Sequence, residues 1–257
     1  MRILVIGDVV GQPGRRAVAG LLPGLRQKHR PDLVIANGEN AAHGRGITPR
    51  NVDELVQSGV DVVTSGNHVW DQKEIIPYMS ASVPLLRPIN YPSGAPGQGY
   101  LMHSGVLVVN LMGRTFMYNV ECPFRTMDRL LAELPAPPKT IVVDFHAEAT
   151  SEKVAMGWYL DGRVSAVVGT HTHVPTADAR VLPKGTAFVS DIGMTGPTCS
   201  IIGNEISAVI NRFLTQMPGP LPVADGPAVL AAVLVEVDDA TGRALKIKRV
   251  DQYEGDQ

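Results

Sequence analysis

An α/β fold is predicted for this chain, and three observations predict it. Short apolar runs rich in β-branched residues recur at 3–6, 32–36 and 60–64. Segments with helical spacing separate them. Each run stops abruptly in polar residues: Gly7-Asp8, Asn37-Gly38-Glu39-Asn40 and Ser65-Gly66-Asn67-His68. Continuous hydrophobicity alternating with amphipathic helices is the mark of parallel strands buried on both faces.

The elements follow in order. After the first strand and a Gly/Pro loop, residues 15–29 have helical periodicity, with Val18, Leu21, Leu22 and Leu25 on one side. Thr48 caps and Pro49 opens a second helix that runs to about residue 58. Turn residues crowd the stretch 83–113, where strands at 99–103 and 106–111 flank Ser104-Gly105 as a hairpin. Parallel-type units resume with a strand at 140–145, a helix at 151–160 and a strand at 164–168. Further runs at 179–182 and 187–190 precede a helix at 204–214, and 228–237 pairs with 244–250 as a closing hairpin. The reading is a single domain over 1–257, with one mixed sheet or two packed sheets and helices outside.

Composition narrows the function classes. The chain has 257 residues, 44% of them apolar, long enough for a sizeable core without disulfide staples. With 23 Lys+Arg against 25 Asp+Glu it lacks the basic footprint of strong nucleic-acid binding. Two cysteines, Cys122 and Cys199, are too few for a disulfide framework or a structural zinc knuckle. The N-terminal MRILVIGDVV lacks the features of a signal peptide, and the charge-free stretch 88–113 is broken by Pro92 and Pro96, so no membrane span is expected. A soluble, cytoplasmic protein is expected, and the oligomeric state stays open between monomer and homo-oligomer.

The chemistry sits where the runs stop. Asp8 follows the first strand, Glu39 and Asn40 the second, Asn67 and His68 the third; His146 follows 140–145, and His171 and His173 follow 164–168. In open α/β sheets the ligand crevice lies at the carboxyl ends of the strands, so five strand ends converge there. Carboxylates, imidazoles and amide oxygens together suit iron, manganese, zinc or cobalt. So many such groups exceed one tetrahedral site and match two adjacent metals sharing a carboxylate.

Singly, each residue has an ordinary reading. Asp8 can cap a helix, Asn40 and Asn67 can form turns, and His146 can be a hydrogen-bonded core histidine. GDVVGQPG is not a dinucleotide loop, because Val9 stands at the third position and Pro13 lacks an N–H. His29 fits a helix C-terminus and His103 the hairpin. His43, Arg45, Arg114 and Arg125 are weaker candidates for substrate contact, and Met194-Thr195-Gly196 either shapes a pocket or ends a strand.

In order, Gly7-Asp8, Asn37-Gly38-Glu39-Asn40, Gly66-Asn67-His68, His146 and Gly169-Thr170-His171-Thr172-His173 resemble the blocks of the calcineurin-like metallophosphoesterases. With Asp191-Ile192-Gly193-Met194-Thr195-Gly196-Pro197 the likeness is to the YmdB-type branch and spans nearly the whole chain. Two departures from the superfamily, Val10 where a histidine is usual and Glu39 for the usual aspartate, are those of that branch. The resemblance implies a four-layered α-β-β-α sandwich and two metals, iron with manganese able to substitute. Asp8, Glu39, Asn40 and His173 would hold the first and Glu39, Asn67, His146 and His171 the second. It implies hydrolysis of 2′,3′-cyclic nucleotides or another small phosphodiester by a hydroxide bridging the metals, with His68 protonating the leaving oxygen. The alternatives are a regulatory or RNA-associated metal protein whose activity is incidental, and a phosphomonoesterase.

Overall fold

The computed structural model describes residues 1–136 and 138–255. From the N-terminus, β1 (Arg2–Ile6) leads through Gly7 into a two-residue strand β2 (Asp8–Val9). Then come α1 (Gly11–His29), β3 (Leu33–Asn37), α2 (Pro49–Gln57), β4 (Val62–Thr64) and the single-turn α3 (Ile75–Tyr78). The middle holds β5 (Tyr100–His103), β6 (Val106–Met112), α4 (Pro123–Glu133), β7 (Thr140–His146), α5 (Thr150–Leu160) and β8 (Ala166–Thr170). The last third holds β9 (Arg180–Val181), β10 (Ala187–Val189), β11 (Met194–Pro197), α6 (Ile206–Thr215), β12 (Ala228–Leu230), β13 (Ala232–Val237), β14 (Ala244–Arg249) and β15 (Gln252–Tyr253). No helix among the described residues is long and apolar enough to cross a membrane.

Three sheets form, ordered β14-β13-β1-β3-β4, β5-β6-β7-β8-β10-β9 and β15-β12-β11-β2. In the first, β1, β3 and β4 run parallel, with β13 antiparallel beside β1. In the second, β6, β7, β8 and β10 run parallel between antiparallel edges. Strands that run parallel end together, so each larger sheet gathers its carboxyl ends along one edge.

Alternation of side chains across a strand explains the packing. Ile3, Val5, Leu33 and Ile35 of the first sheet meet Val106, Val108, Val142, Ala166 and Val168 of the second in one apolar cluster. Leu4, Ile6, Val34 and Ala36 turn the other way onto Val18, Leu22 and Leu25 of α1 and Val52 and Leu55 of α2. On the far face of the second sheet, Leu107, Val109, Ile141 and Val143 pack on Met127 and Leu130 of α4 and Met156 and Leu160 of α5.

The structure departs from the sequence reading at identifiable points. The expected single strand 228–237 divides at Ala231. There the chain changes sheet: Ala231 N–H donates to Thr195 Oγ1 at 3.1 Å, and its carbonyl accepts from Gly7 N at 3.0 Å. Helix α1 begins at Gly11, four residues before the helical spacing expected from residue 15. Its first turn is Gly-Gln-Pro-Gly because Gly14 lies against the Thr195 carbonyl, where a Cβ would collide. Helix α4 has no polar cap but a Pro in its first turn and a buried Thr126, Met127 and Leu130 face. The third sheet, pairing Met194 with Asp8 and Thr195 with Val9, is too short to leave a periodic signal.

Candidate metal centre

Each of the eight sequence-named residues is delivered to one place by a strand end. Asp8 lies on β2 just beyond β1, Glu39 and Asn40 follow β3, and Asn67 and His68 follow β4. His146 is the last residue of β7, and His171 and His173 follow β8. Asp8, Glu39 and His146 have no exposed surface.

Distances tie them together. His146 Nε2 lies 2.9 Å from Glu39 Oε1, 3.0 Å from Asn67 Oδ1 and 3.0 Å from His171 Nδ1. Asn40 Nδ2 is 3.1 Å from His173 Nε2 and 3.3 Å from Glu39 Oε1. Asp8 Oδ1 stands 3.9 Å from His173 Nε2 and 3.8 Å from His146 Nδ1. Glu39 thus sits between two groups, Asp8–Asn40–His173 on one side and Asn67–His146–His171 on the other.

Outer partners decide which ring nitrogen faces inward. His173 Nδ1 is 2.9 Å from the Ile202 carbonyl, which only accepts, so Nδ1 carries the proton and Nε2 presents its lone pair to Asp8 and Asn40. His171 Nε2 pairs with Glu148 Oε2 at 3.0 Å, leaving Nδ1 to face His146. Thr170 donates its hydroxyl to Asp144 Oδ1 at 2.7 Å, so its oxygen accepts from His146 Nδ1 at 2.9 Å and directs Nε2 inward. Second-shell bonds of this kind fix the orientation of metal-ligating imidazoles.

These donors fit a metal. At His146 Nε2 one proton at most faces a carboxylate oxygen, an amide oxygen and an imidazole nitrogen, which more than one proton is needed to satisfy. Asp8 Oδ1 is buried with no hydrogen-bond partner. Glu39, His146 and His171 each bring one ligand atom within 4.8 Å of the others. A Cβ added at Gly66 would run into the His146 ring and the Glu39 carboxylate, so the backbone passes as close as a residue without a side chain allows.

The charges are perturbed accordingly. Burial alone would drive His146 down, yet the Glu39 carboxylate beside it holds it up at about 9. Burial would raise Glu39, but the His146 charge and hydrogen bond bring it down to about 2. Burial pushes Asp8 up to about 6 against the opposing pull of His173 and His146. Burial and then the His146 charge press His171 down to about 3. Without metal, a proton on His146 stands where a cation is needed.

Several supporting residues were absent from the sequence reading. Asp71 accepts from His68 Nδ1 at 2.8 Å and also from Arg45, while His68 Nε2 lies 3.2 Å from Asn67 Nδ2. The His68–Asp71 spacing of three residues is the one signal that points to this pair. Asp144 was hidden in a strand; it binds Thr64, Asn37 and Thr170 and lies two residues before His146, on the same face. His171 and His173 hold positive φ of 100° and 67°, unusual for residues with a Cβ. Asp191 pins the turn between them, accepting Thr172 N at 3.1 Å, Thr172 Oγ1 at 2.7 Å and Lys153 Nζ at 2.7 Å. Of the weaker candidates, Arg45 joins the site through Asp71, while His29 ends α1, His103 lies on an edge strand, and His43 lines a separate cavity of about 430 Å³ with Gln12 and Arg16. Met194-Thr195-Gly196 forms a strand beside Asp8.

Comparison with known proteins gives a consistent result. The family described as YmdB-like protein matches residues 4–250. The chain is 51% identical to the 2′,3′-cyclic-nucleotide 2′-phosphodiesterase of Bacillus subtilis (strain 168), covering 97% of this chain and 96% of the relative. Its structure is similar to a crystal structure of a hypothetical protein from Thermus thermophilus, with a TM-score of 0.92, 49% identity, and coverage of 98% and 99%. A crystal structure of a Mycoplasma pneumoniae phosphatase also gives a TM-score of 0.92, at 34% identity and coverage of 98% and 93%.

Proposed function

Because the chain belongs to the YmdB-like family, we propose that it is a metal-dependent phosphodiesterase acting on 2′,3′-cyclic nucleotides. One observation carries the reading: the orphaned, buried Asp8 Oδ1 and the over-subscribed His146 Nε2 flank one shared carboxylate, Glu39. In this reading Asp8, Glu39, Asn40 and His173 hold one metal, and Glu39, Asn67, His146 and His171 the other. Iron would be the metal at both positions, with manganese able to substitute. When bound, such a pair supplies a hydroxide near neutral pH and positive charge against the phosphoryl oxygens. The three apolar clusters support the four-layered sandwich, with residues 1–257 as one domain. In the same reading the protein works in the cytoplasm.

The chain's own groups do the remaining work. Asn67 points its oxygen toward His146 and its amide nitrogen toward His68, tying the second metal position to the acid. Asp71 fixes the His68 ring through Nδ1; Nε2 accepts from Asn67 Nδ2 here, and once protonated it is the atom that hands a proton to the departing ribose oxygen. The Asp71 carboxylate is itself held by Arg45.

The test is turnover of 2′,3′-cyclic AMP with manganese or ferrous iron supplied. Wild type is expected to turn over and Asn67→Ala to lose activity. His68→Ala is expected to retain both metals while kcat falls by about 10²–10⁴. Full turnover in Asn67→Ala would remove the chemistry from this centre. Metal-loaded wild type without turnover would favour the regulatory alternative.

A further inference from the structure

Beside the metal centre a cavity of about 290 Å³ is walled by Asn67 and His171 on one side and by Phe116, Met117 and Tyr118 on the other. Phe116 is 89% exposed, and its backbone is held at a φ of 62°, a conformation that residues with a Cβ adopt at a cost. Neither feature helps the core. An aromatic ring left in water forgoes the burial that normally stabilises it.

The loop that carries the ring is nevertheless fixed. The Glu152 carboxylate of α5 accepts from Arg114 N at 3.0 Å and from Thr115 N at 3.1 Å. Gly113 N donates to the carbonyl of His146 at 2.9 Å, which ties the loop's start to the strand that delivers a metal-site residue. Met117 N closes a turn on Arg114 O at 3.2 Å, and the Tyr118 hydroxyl faces the Arg45 guanidinium that binds Asp71. An exposed ring on a pinned, strained loop, sharing a cavity with Asn67 and His171, is arranged to meet something flat and apolar-faced.

We propose that Phe116 is the platform on which the base of the nucleotide stacks, with Tyr118 forming the second wall of that subsite. The proposal rests on the cyclic-nucleotide reading above and names the part of the substrate that the metal centre does not touch. Every base has a π-face, so such a platform tolerates all four bases and favours purines by their larger overlap.

The experiment compares two five-membered cyclic phosphates, 2′,3′-cyclic AMP and the baseless glycerol 1,2-cyclic phosphate, on manganese-loaded enzyme. Wild type should show the lower KM for the nucleotide. Phe116→Ala should raise the nucleotide KM about 5- to 20-fold relative to that of the baseless ester, and Phe116→Trp should restore it. Metal content is measured for each variant and should not change. If Phe116→Ala leaves the ratio of the two KM values unchanged, the platform is refuted while the phosphodiesterase reading stands. If wild type turns over neither ester, the phosphodiesterase reading fails and the subsite fails with it.

Discussion

Lys153→Met tests whether the histidine turn is built on a buried ion pair. Lys153 rises from α5 with 2% exposure, and its Nζ lies 2.7 Å from Asp191 Oδ2, at 1% exposure. Removing one partner of such a pair strands the other charge, at a cost of about 3–5 kcal/mol. Asp191 keeps three donors after the change: Thr172 N, Thr172 Oγ1 and Gly193 N, the last at 2.7 Å. Those bonds put the cost at the low end, about 3 kcal/mol. For a chain of this length the midpoint falls about 2–4 °C per kcal/mol, so Tm should drop by roughly 6–12 °C. The Arg129–Glu121 pair is half-exposed on both sides, and Arg129→Met should cost under about 1 kcal/mol. Thermal melts of the two variants beside wild type, in chelator and in manganese, provide the comparison. The loss should be joined by weaker manganese binding, because Asp191 holds Thr172 between the two positive-φ histidines. Equal Tm shifts in the two variants would refute the energetic argument. A large Tm shift with unchanged manganese affinity would refute the claim that the pair positions the histidines.

Two further outcomes follow from the same geometry. Thr170→Val removes the hydroxyl between His146 Nδ1 and Asp144, so manganese affinity should fall about 10- to 100-fold by calorimetric titration, with little change in the far-ultraviolet spectrum. The pH dependence has a defined sign: His146 is held at about 9, above its unfolded value of 6.5, so in the metal-free chain its contribution to stability is complete below 6.5 and lost as pH rises through 9. Glu39, lowered to about 2 from 4.5, contributes above 4.5 and loses that contribution as pH falls through 2. Manganese must displace the His146 proton, so its affinity should climb between pH 6.5 and 9 with protons released to the buffer; a flat profile would contradict the assignment.

The parallel units of the fold were legible because their signals are local. Residues 32–36 and 140–145 are continuous apolar runs, and Thr48-Pro49 is a capping pair whose side-chain bond to Asn51 N is present at 3.2 Å. The switch of sheet at Ala231 was not legible, because 228–235 is one unbroken apolar run. The break is imposed from outside by Thr195 and Gly7, which the sequence places 36 and 224 residues away. The same holds for β2 and β11, two- and four-residue strands held by distant partners: β2 pairs with β11, and β11 pairs with both β2 and β12.

The residues of the centre were legible for a different reason from the residues that orient them. Asp8, Glu39, Asn40, Asn67, His146, His171 and His173 stand at the ends of readable strands, and it is their shared register there, not any one of them, that marks the site. Asp144 stands inside a strand, where it interrupts an apolar run, and Lys153 follows Ser151 and Glu152 in the first turn of a helix, where it looks like an ordinary surface residue. A buried charge is costly unless paired, so each has a partner elsewhere. For Asp144 the partners are Thr64, Asn37 and Thr170, and for Lys153 the partner is Asp191. Both lead back to a histidine: Asp144 sets the ring face of His146, and Asp191 sets the turn of His171 and His173. A charged residue that breaks an otherwise apolar strand, as Asp144 does, is therefore a place to look in a sequence for the groups that aim such a site, whereas a group like Lys153 shows only in the structure, and the strand ends are the place to look for the ligands.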